Sequence, residues 1–238
     1  MPRIPSALAV AAAAALAWPA GAGASGAVVI DGVLRIFTGP GEANRLQISG
    51  VPRRPFTVRD AVPLGVGDGC TSTGPRSAVC TLTVLSVTAD LGDRDDRFSA
   101  ATAAPVSVQG GPGADVLAGG RGGDVLTGES GTDRLLGGSG GDVLSGGAGG
   151  DRLDGGVGAD TLDGGPGADV LLGGAGADVV DGGTGADRLT PGPGRDTAYA
   201  GPGRDRLLLR DGAPDRADCR PGPGDVAVAD PVDRLRGC

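Results

Sequence analysis

From residue 110 to 208 the apolar positions fall nine apart. Leu117, Leu126, Leu135, Leu144, Leu153, Leu162, Leu171, Val180, Leu189, Ala198 and Leu207 each stand between two variable residues. Six residues rich in glycine and aspartate separate each triplet from the next. A helix repeats its apolar face every three or four residues, and a strand every second one. Successive side chains leave a strand on opposite faces, so a lone apolar residue between variable neighbours reads as the middle of a three-residue strand. The glycine-rich hexapeptide between strands reads as a turn. The pattern predicts a series of very short strands, each burying one side chain, at the fixed period of a repeat architecture.

Written by nines, the stretch is eleven copies of G-G-x-G-x-D-x-U-x. Position four is always glycine. Position six is always aspartate: Asp115, Asp124, Asp133, Asp142, Asp151, Asp160, Asp169, Asp178, Asp187, Asp196 and Asp205. Glycine serves where φ is positive or where backbones approach closely. Proline at position three (Pro112, Pro166, Pro193, Pro202) places that position near φ of about −65° with no essential N–H. A flexible linker of the same composition has no reason to keep this register.

The phrase resembles the repeat of the hemolysin-type, or RTX, calcium-binding proteins. The resemblance covers about 40% of the chain directly. It implies an all-β fold, a right-handed parallel β-roll in which GGxGxD forms a calcium-binding turn and two nonapeptides complete one coil. Calcium takes six to eight oxygen ligands, and a glycine-rich turn with an aspartate offers carbonyls and charge together. If alternate copies stack, Asp115, Asp133, Asp151, Asp169, Asp187 and Asp205 form one column, with Asp115 at its end. Asp124, Asp142, Asp160, Asp178 and Asp196 form the other. One ion per gap gives up to about nine calcium ions. Carboxylates about 5 Å apart repel by roughly 1–3 kcal/mol per pair, so such columns call for cations.

Three copies depart from the phrase: Glu129 replaces a second glycine, and Pro191 and Ala200 replace first glycines. Where those positions need positive φ, the substitutions strain the turn. The sites touching 128–133 and 191–205 are expected to be the weakest.

Outside the array the chain divides into 1–24, 25–89, 90–109 and 209–238. Arg3, the twelve-residue apolar run Ala7–Trp18 and the small residues to Ala24 read as an export signal peptide. That run is too short to span a membrane, so no transmembrane anchor is expected. Strand-like runs at Val28–Ile30, Val33–Phe37, Arg45–Ile48, Phe56–Val58 and Val79–Val87 suggest an irregular β cap over 25–89, with an independent small β domain as the alternative. Asp96-Arg97-Phe98 fits positions six to eight, so 90–109 reads as a degenerate coil continuous with the array to 208. Asn44-Arg45-Leu46 echoes it, and Asp215-Arg216-Ala217, Gly224-Asp225-Val226 and Asp233-Arg234-Leu235 echo it in a second cap over 209–238. Disulfides are expected between Cys70 and Cys80 and between Cys219 and Cys238 in an oxidising compartment.

Composition narrows the function. Acids outnumber bases 29 to 21, for a net charge of −8, which argues against nucleic acid as a partner. There are no histidines, which excludes His-dependent triads and H-E-x-x-H zinc sites. Asp60 and Asp68 are a candidate acid pair outside the array, and no motif surrounds them. The expected function is that of an exported, non-enzymatic calcium-binding protein of the extracellular space or envelope. Its partners are calcium and a cell-surface polymer or protein. The alternatives are an adhesin-like ligand-binding module and an enzyme with a site in 25–89. The residues at positions seven and nine, in chain order, form no threonine ladder of the ice-binding kind.

Overall fold

The computed structural model describes residues 25–30, 33–37, 43–49, 56–59, 64–66, 70–74, 77–80, 86–220, 222 and 224–238. Among the described residues every element is a strand, and none is a helix that could cross a membrane. The strands build a parallel β-solenoid with two 12-stranded sheets. The expected signal peptide, and Asp60 and Asp68, lie outside the described residues.

Registers show why one apolar residue in nine suffices. Val116–Gly120 pairs in parallel with Arg134–Ser139, setting Leu117 opposite Leu135. Val125–Gly131 pairs with Val143–Ala148, setting Leu126 opposite Leu144. Partners therefore lie two nonapeptides apart, and successive nonapeptides alternate between the sheets. Each position-eight side chain stacks on its own kind in the coils above and below. Leu117 through Leu207, Val180 and Ala198 included, are buried in one continuous core with Phe98, Leu46 and Ile36. Each leucine contributes about 1.5–3 kcal/mol on burial. With so few, the backbone ladder must carry much of the fold.

That ladder is longer than three residues per copy. Val106–Gly113 has eight residues and Val125–Gly131 has seven, reaching through the first glycines of the next turn. The cause is the identical period of every coil. Turn atoms meet equivalent turn atoms, and the N–H of Gly149 donates to the carbonyl of Pro166 at 2.9 Å.

The sheets continue past the array at both ends. Ser86–Asp90 pairs in parallel with Val106–Gly113 on one side and with Val33–Phe37 on the other. Arg97–Ala101 likewise bridges Val116–Gly120 and Arg45–Ser49, and Arg45 falls opposite Arg97. Outside this, pairing turns antiparallel: Ser25–Ile30 on Val33–Phe37, and Phe56–Arg59 between Arg45–Ser49 and Ser77–Cys80. The expected single strand Val79–Val87 is instead two. Ser77–Cys80 belongs to one sheet and Ser86–Asp90 to the other, because the first joins an antiparallel meander and the second starts a parallel coil. Cys70 lies opposite Cys80 in that meander.

At the carboxyl end Arg216–Asp218 and Arg234–Arg236 extend one sheet, and Val226–Val228 extends the other. A disulfide joins Cys219 to Cys238, as the spacing suggested, with Cα atoms 5.0 Å apart. It fastens the final strand to the core, where Cys219 is buried. Arg234 and Arg236 on that exposed edge strand discourage pairing with another chain.

Candidate metal centre

Each aspartate of the array is placed by one rule. Its Oδ1 accepts the backbone N–H of the column residue one coil earlier. Asp115 N–H donates to Asp133, Asp133 to Asp151, Asp169 to Asp187 and Asp187 to Asp205, at 2.6–2.8 Å including the Asp151–Asp169 step. The second column repeats the rule from Asp124 through Asp142, Asp160 and Asp178 to Asp196, each step at 2.8 Å. The eleven aspartates therefore form the two columns that alternate stacking implies.

The columns are longer than the array. Asp96 N–H donates to Asp115 at 2.7 Å, and Asn44 N–H donates to Asp96 Oδ1. Asn44 also anchors its amide on the Leu91 carbonyl at 2.9 Å. Downstream, Asp205 N–H reaches Asp225 and Asp196 N–H reaches Asp215, both at 2.9 Å. Asp115 is therefore not a column end, which corrects the sequence expectation. The true start of the second column is Asp124, whose Oδ1 accepts the N–H of Val106 at 2.9 Å. Above it the equivalent position holds Val106, Val87 and Leu34, all buried.

The other carboxylate oxygen has no such partner. Among the described residues, the Oδ2 atoms of the eleven array aspartates, Asp215 and Asp225 are thirteen buried oxygens without a hydrogen bond. Burial without a partner is costly for any polar atom and more so for a charge. The carboxyls respond accordingly. Burial pushes Asp115, Asp124, Asp133, Asp169, Asp187 and Asp196 up to about 6, against the lowering effect of the N–H that each Oδ1 accepts. The rest of the array shifts upward for the same reason. Neighbouring carboxylates add to the rise at most positions, as Asp151 and Asp115 do at Asp133.

Glycine makes room for this packing. A Cβ on Gly131, where φ is +148°, would stand 1.5 Å from the Gly113 carbonyl of the preceding coil. A Cβ on Gly110, at position one, would stand 2.3 Å from Asp115 Oδ2. Carbonyls and orphaned carboxylate oxygens thus crowd the same turn. That donor set, all oxygen and rich in carboxylate, suits a hard divalent cation such as calcium.

The departures from the phrase divide. Glu129 adopts φ of 80°, the left-handed conformation its position demands. Pro191 and Ala200 do not take positive φ, so the expected backbone strain is absent there. Position one takes positive φ in no copy, and its restriction is the space for a Cβ. Farther on, carboxylate oxygens of Asp196, Asp211 and Asp215 lie within 4.8 Å of one another, so Asp211 joins the second column from an irregular turn, and Asp215 N–H carries that column on to Asp233 at 3.1 Å.

A parallel solenoid with an acid-lined turn column along each edge is the architecture of a calcium-binding repeat protein. The family model for the RTX calcium-binding nonapeptide repeat matches residues 109–144, 136–171, 145–180, 155–189, 163–198 and 181–213. Residues 109–213 are an array of RTX repeats. No curated protein matches the chain. Asp96, Asp215 and Asp225 share the columns but were not among the site residues expected from the nonapeptide. Their trace in the sequence is the triplets Asp-Arg-Phe, Asp-Arg-Ala and Asp-Val-Ala, stripped of the glycines that make the phrase recognisable.

Proposed function

We propose that this is an exported, non-enzymatic calcium-binding protein whose roll folds when calcium fills the turn columns. Asp115, Asp124, Asp133, Asp142, Asp151, Asp160, Asp169, Asp178, Asp187, Asp196 and Asp205 are its ligands, with up to about nine ions in the gaps between them. The observation that carries this reading is the thirteen buried Oδ2 atoms of the array aspartates, Asp215 and Asp225, which have no hydrogen bond. Each needs a proton or a cation, and at neutral pH a cation held by turn carbonyls in each gap would meet that need.

Residues 25–89 and 209–238 cap the roll, the first through the antiparallel meander and the second through the Cys219–Cys238 bridge. A Cys70–Cys80 bridge across the opposed pair would lock the first cap. Export follows from the apolar run after Arg3. The role is structural or interactional, in the extracellular space or envelope. A ligand-binding role is the second reading, favoured by the outer face of one sheet.

Circular dichroism and calorimetry during a calcium titration test the proposal. The expected result is a disordered array in chelator and a cooperative rise of β signal in millimolar calcium. Magnesium is expected not to substitute, because it demands a small octahedral cage and keeps its waters. An equal β signal and equal protease resistance in excess chelator would count against calcium-driven folding.

A further inference from the structure

Position seven of each copy points outward, and the parallel register sorts these residues into one row per sheet. On the sheet that carries Val116–Gly120, the row reads Arg45, Arg97, Val116, Arg134, Arg152, Val170, Arg188, Arg206, Val226. Two arginines and one valine repeat three times. All six arginines are exposed. Each arginine pair sits on directly opposed positions of adjacent strands, about 4.8 Å apart, and the pairs recur about every 14 Å. The corresponding row on the other sheet is Val125, Val143, Thr161, Val179 and Thr197 across the array, without arginine until Arg216.

Like charges placed directly opposite each other destabilise a sheet. Here that cost is repeated three times on one face of a chain whose net charge is −8. Arg97, Arg134, Arg152, Arg188 and Arg206 form no ion pair among the described residues. Position nine on the same face supplies Leu136, Asp154, Leu172, Thr190 and Leu208, so beside the arginines a leucine stands on every second strand, with Asp154 and Thr190 between.

We propose that this face binds an acidic polysaccharide, a polyuronate chain laid along the solenoid axis. Guanidinium forks take carboxylates in bidentate fashion, and a row of pairs matches carboxylates repeated along a polymer. The single valines between the arginine pairs and the leucines beside them meet the apolar faces of the sugar rings. Nucleic acid fits less well. Its single strands need stacking aromatics and its duplex needs an element that enters a groove, and this flat row offers neither. The proposal names the ligand for the second reading above and rests on the roll, not on the calcium stoichiometry.

The test is calorimetric binding of a short oligogalacturonate to the full chain in saturating calcium, with neutral dextran and duplex DNA as comparators. Circular dichroism in calcium and in chelator is recorded for every variant, so a failure of calcium-driven folding is read separately from a failure to bind. The expected result is binding of oligogalacturonate alone. It weakens on the order of tenfold or more when Arg134, Arg152, Arg188 and Arg206 are changed together to alanine. The matching lysine variant, which keeps the charge and loses the fork, recovers part of the loss and guards against misfolding of the alanine chain. Arg216→Ala with Arg234→Ala, on the other sheet, leaves binding unchanged. No binding, equal loss from the two sets of variants, or tighter binding of DNA overturns the proposal.

Discussion

At the scale of single residues the columns behave as shared ligands. Asp142 has a carboxylate neighbour one coil away on each side, whereas Asp124 has Val106 on one side. Asp142→Ala should therefore lower calcium stoichiometry by more than Asp124→Ala in calorimetric titration. Equal losses would contradict sharing between coils. Glu129 is a second informative position. It holds φ of 80° with a Cβ that glycine lacks, and its charge raises the Asp115 carboxyl. Left-handed backbone costs a non-glycine residue roughly 1–2 kcal/mol, and glycine gives back part of that through its greater freedom when unfolded. Glu129→Gly should stabilise the calcium-loaded roll by about 0.5–1 kcal/mol in urea denaturation.

At the scale of elements, the stacking of identical coils is what each strand relies on. A three-residue strand such as Arg188–Thr190 could not persist alone, and it is held by Val170–Ala175 on one side and Arg206–Leu208 on the other. Removing a central core side chain is felt by both neighbours. Leu153→Ala should cost about 2–5 kcal/mol, measured as a lower denaturation midpoint in calcium. The last strand has a neighbour on one side only, and its covalent tie matters more. Cys219 and Cys238 are 19 residues apart, and a loop of that size contributes about 3 kcal/mol in the chain-entropy account. Cys238→Ser should expose residues 220–238 to protease while the array stays protected. Simultaneous cleavage throughout the array would show that the bridge holds more than its own end.

At the scale of the whole molecule, the buried columns link folding to protons and cations. In the metal-free chain six carboxyls stand at about 6, against an unfolded value of about 3.9. Below pH of about 4 both states hold the protons. Between about 4 and 6 the folded columns keep protons that the unfolded chain has released, so stability falls as pH rises through that window. Above it the penalty is constant. In chelator, the β signal should therefore be stronger at pH 4 than at pH 7, and the reverse order would count against buried columns. Calcium must displace those protons, so its affinity should drop as pH falls below about 6, with proton release on binding. Calcium also changes the net charge. Five divalent ions would more than cancel −8, so electrophoresis at pH 7 should show the mobility changing sign at saturation.

The sequence determined the period, the short strands and the buried position-eight residue of each copy, and its resemblance to the RTX repeat implied the two aspartate columns. Each of these is a local consequence of nine residues repeated in strict order. It also determined the Cys219–Cys238 pairing, since both residues lie in one short terminal segment. What depended on residues far apart in the chain was not legible. The columns reach Asp96 and Asn44, although Asn44 lies 52 residues before Asp96, because an intervening meander returns the chain to the coil it had left. The strand expected at Val79–Val87 divides between two sheets for the same reason. Most telling is position seven. Along the array it reads Val, Val, Arg, Val, Arg, Thr, Val, Val, Arg, Thr, Arg, with no order. Alternate copies go to opposite sheets, and only that sorting by tertiary register gathers the arginines into pairs on one face and leaves valine and threonine on the other. Side-chain chemistry is written residue by residue, but which charges become neighbours is decided by the coil.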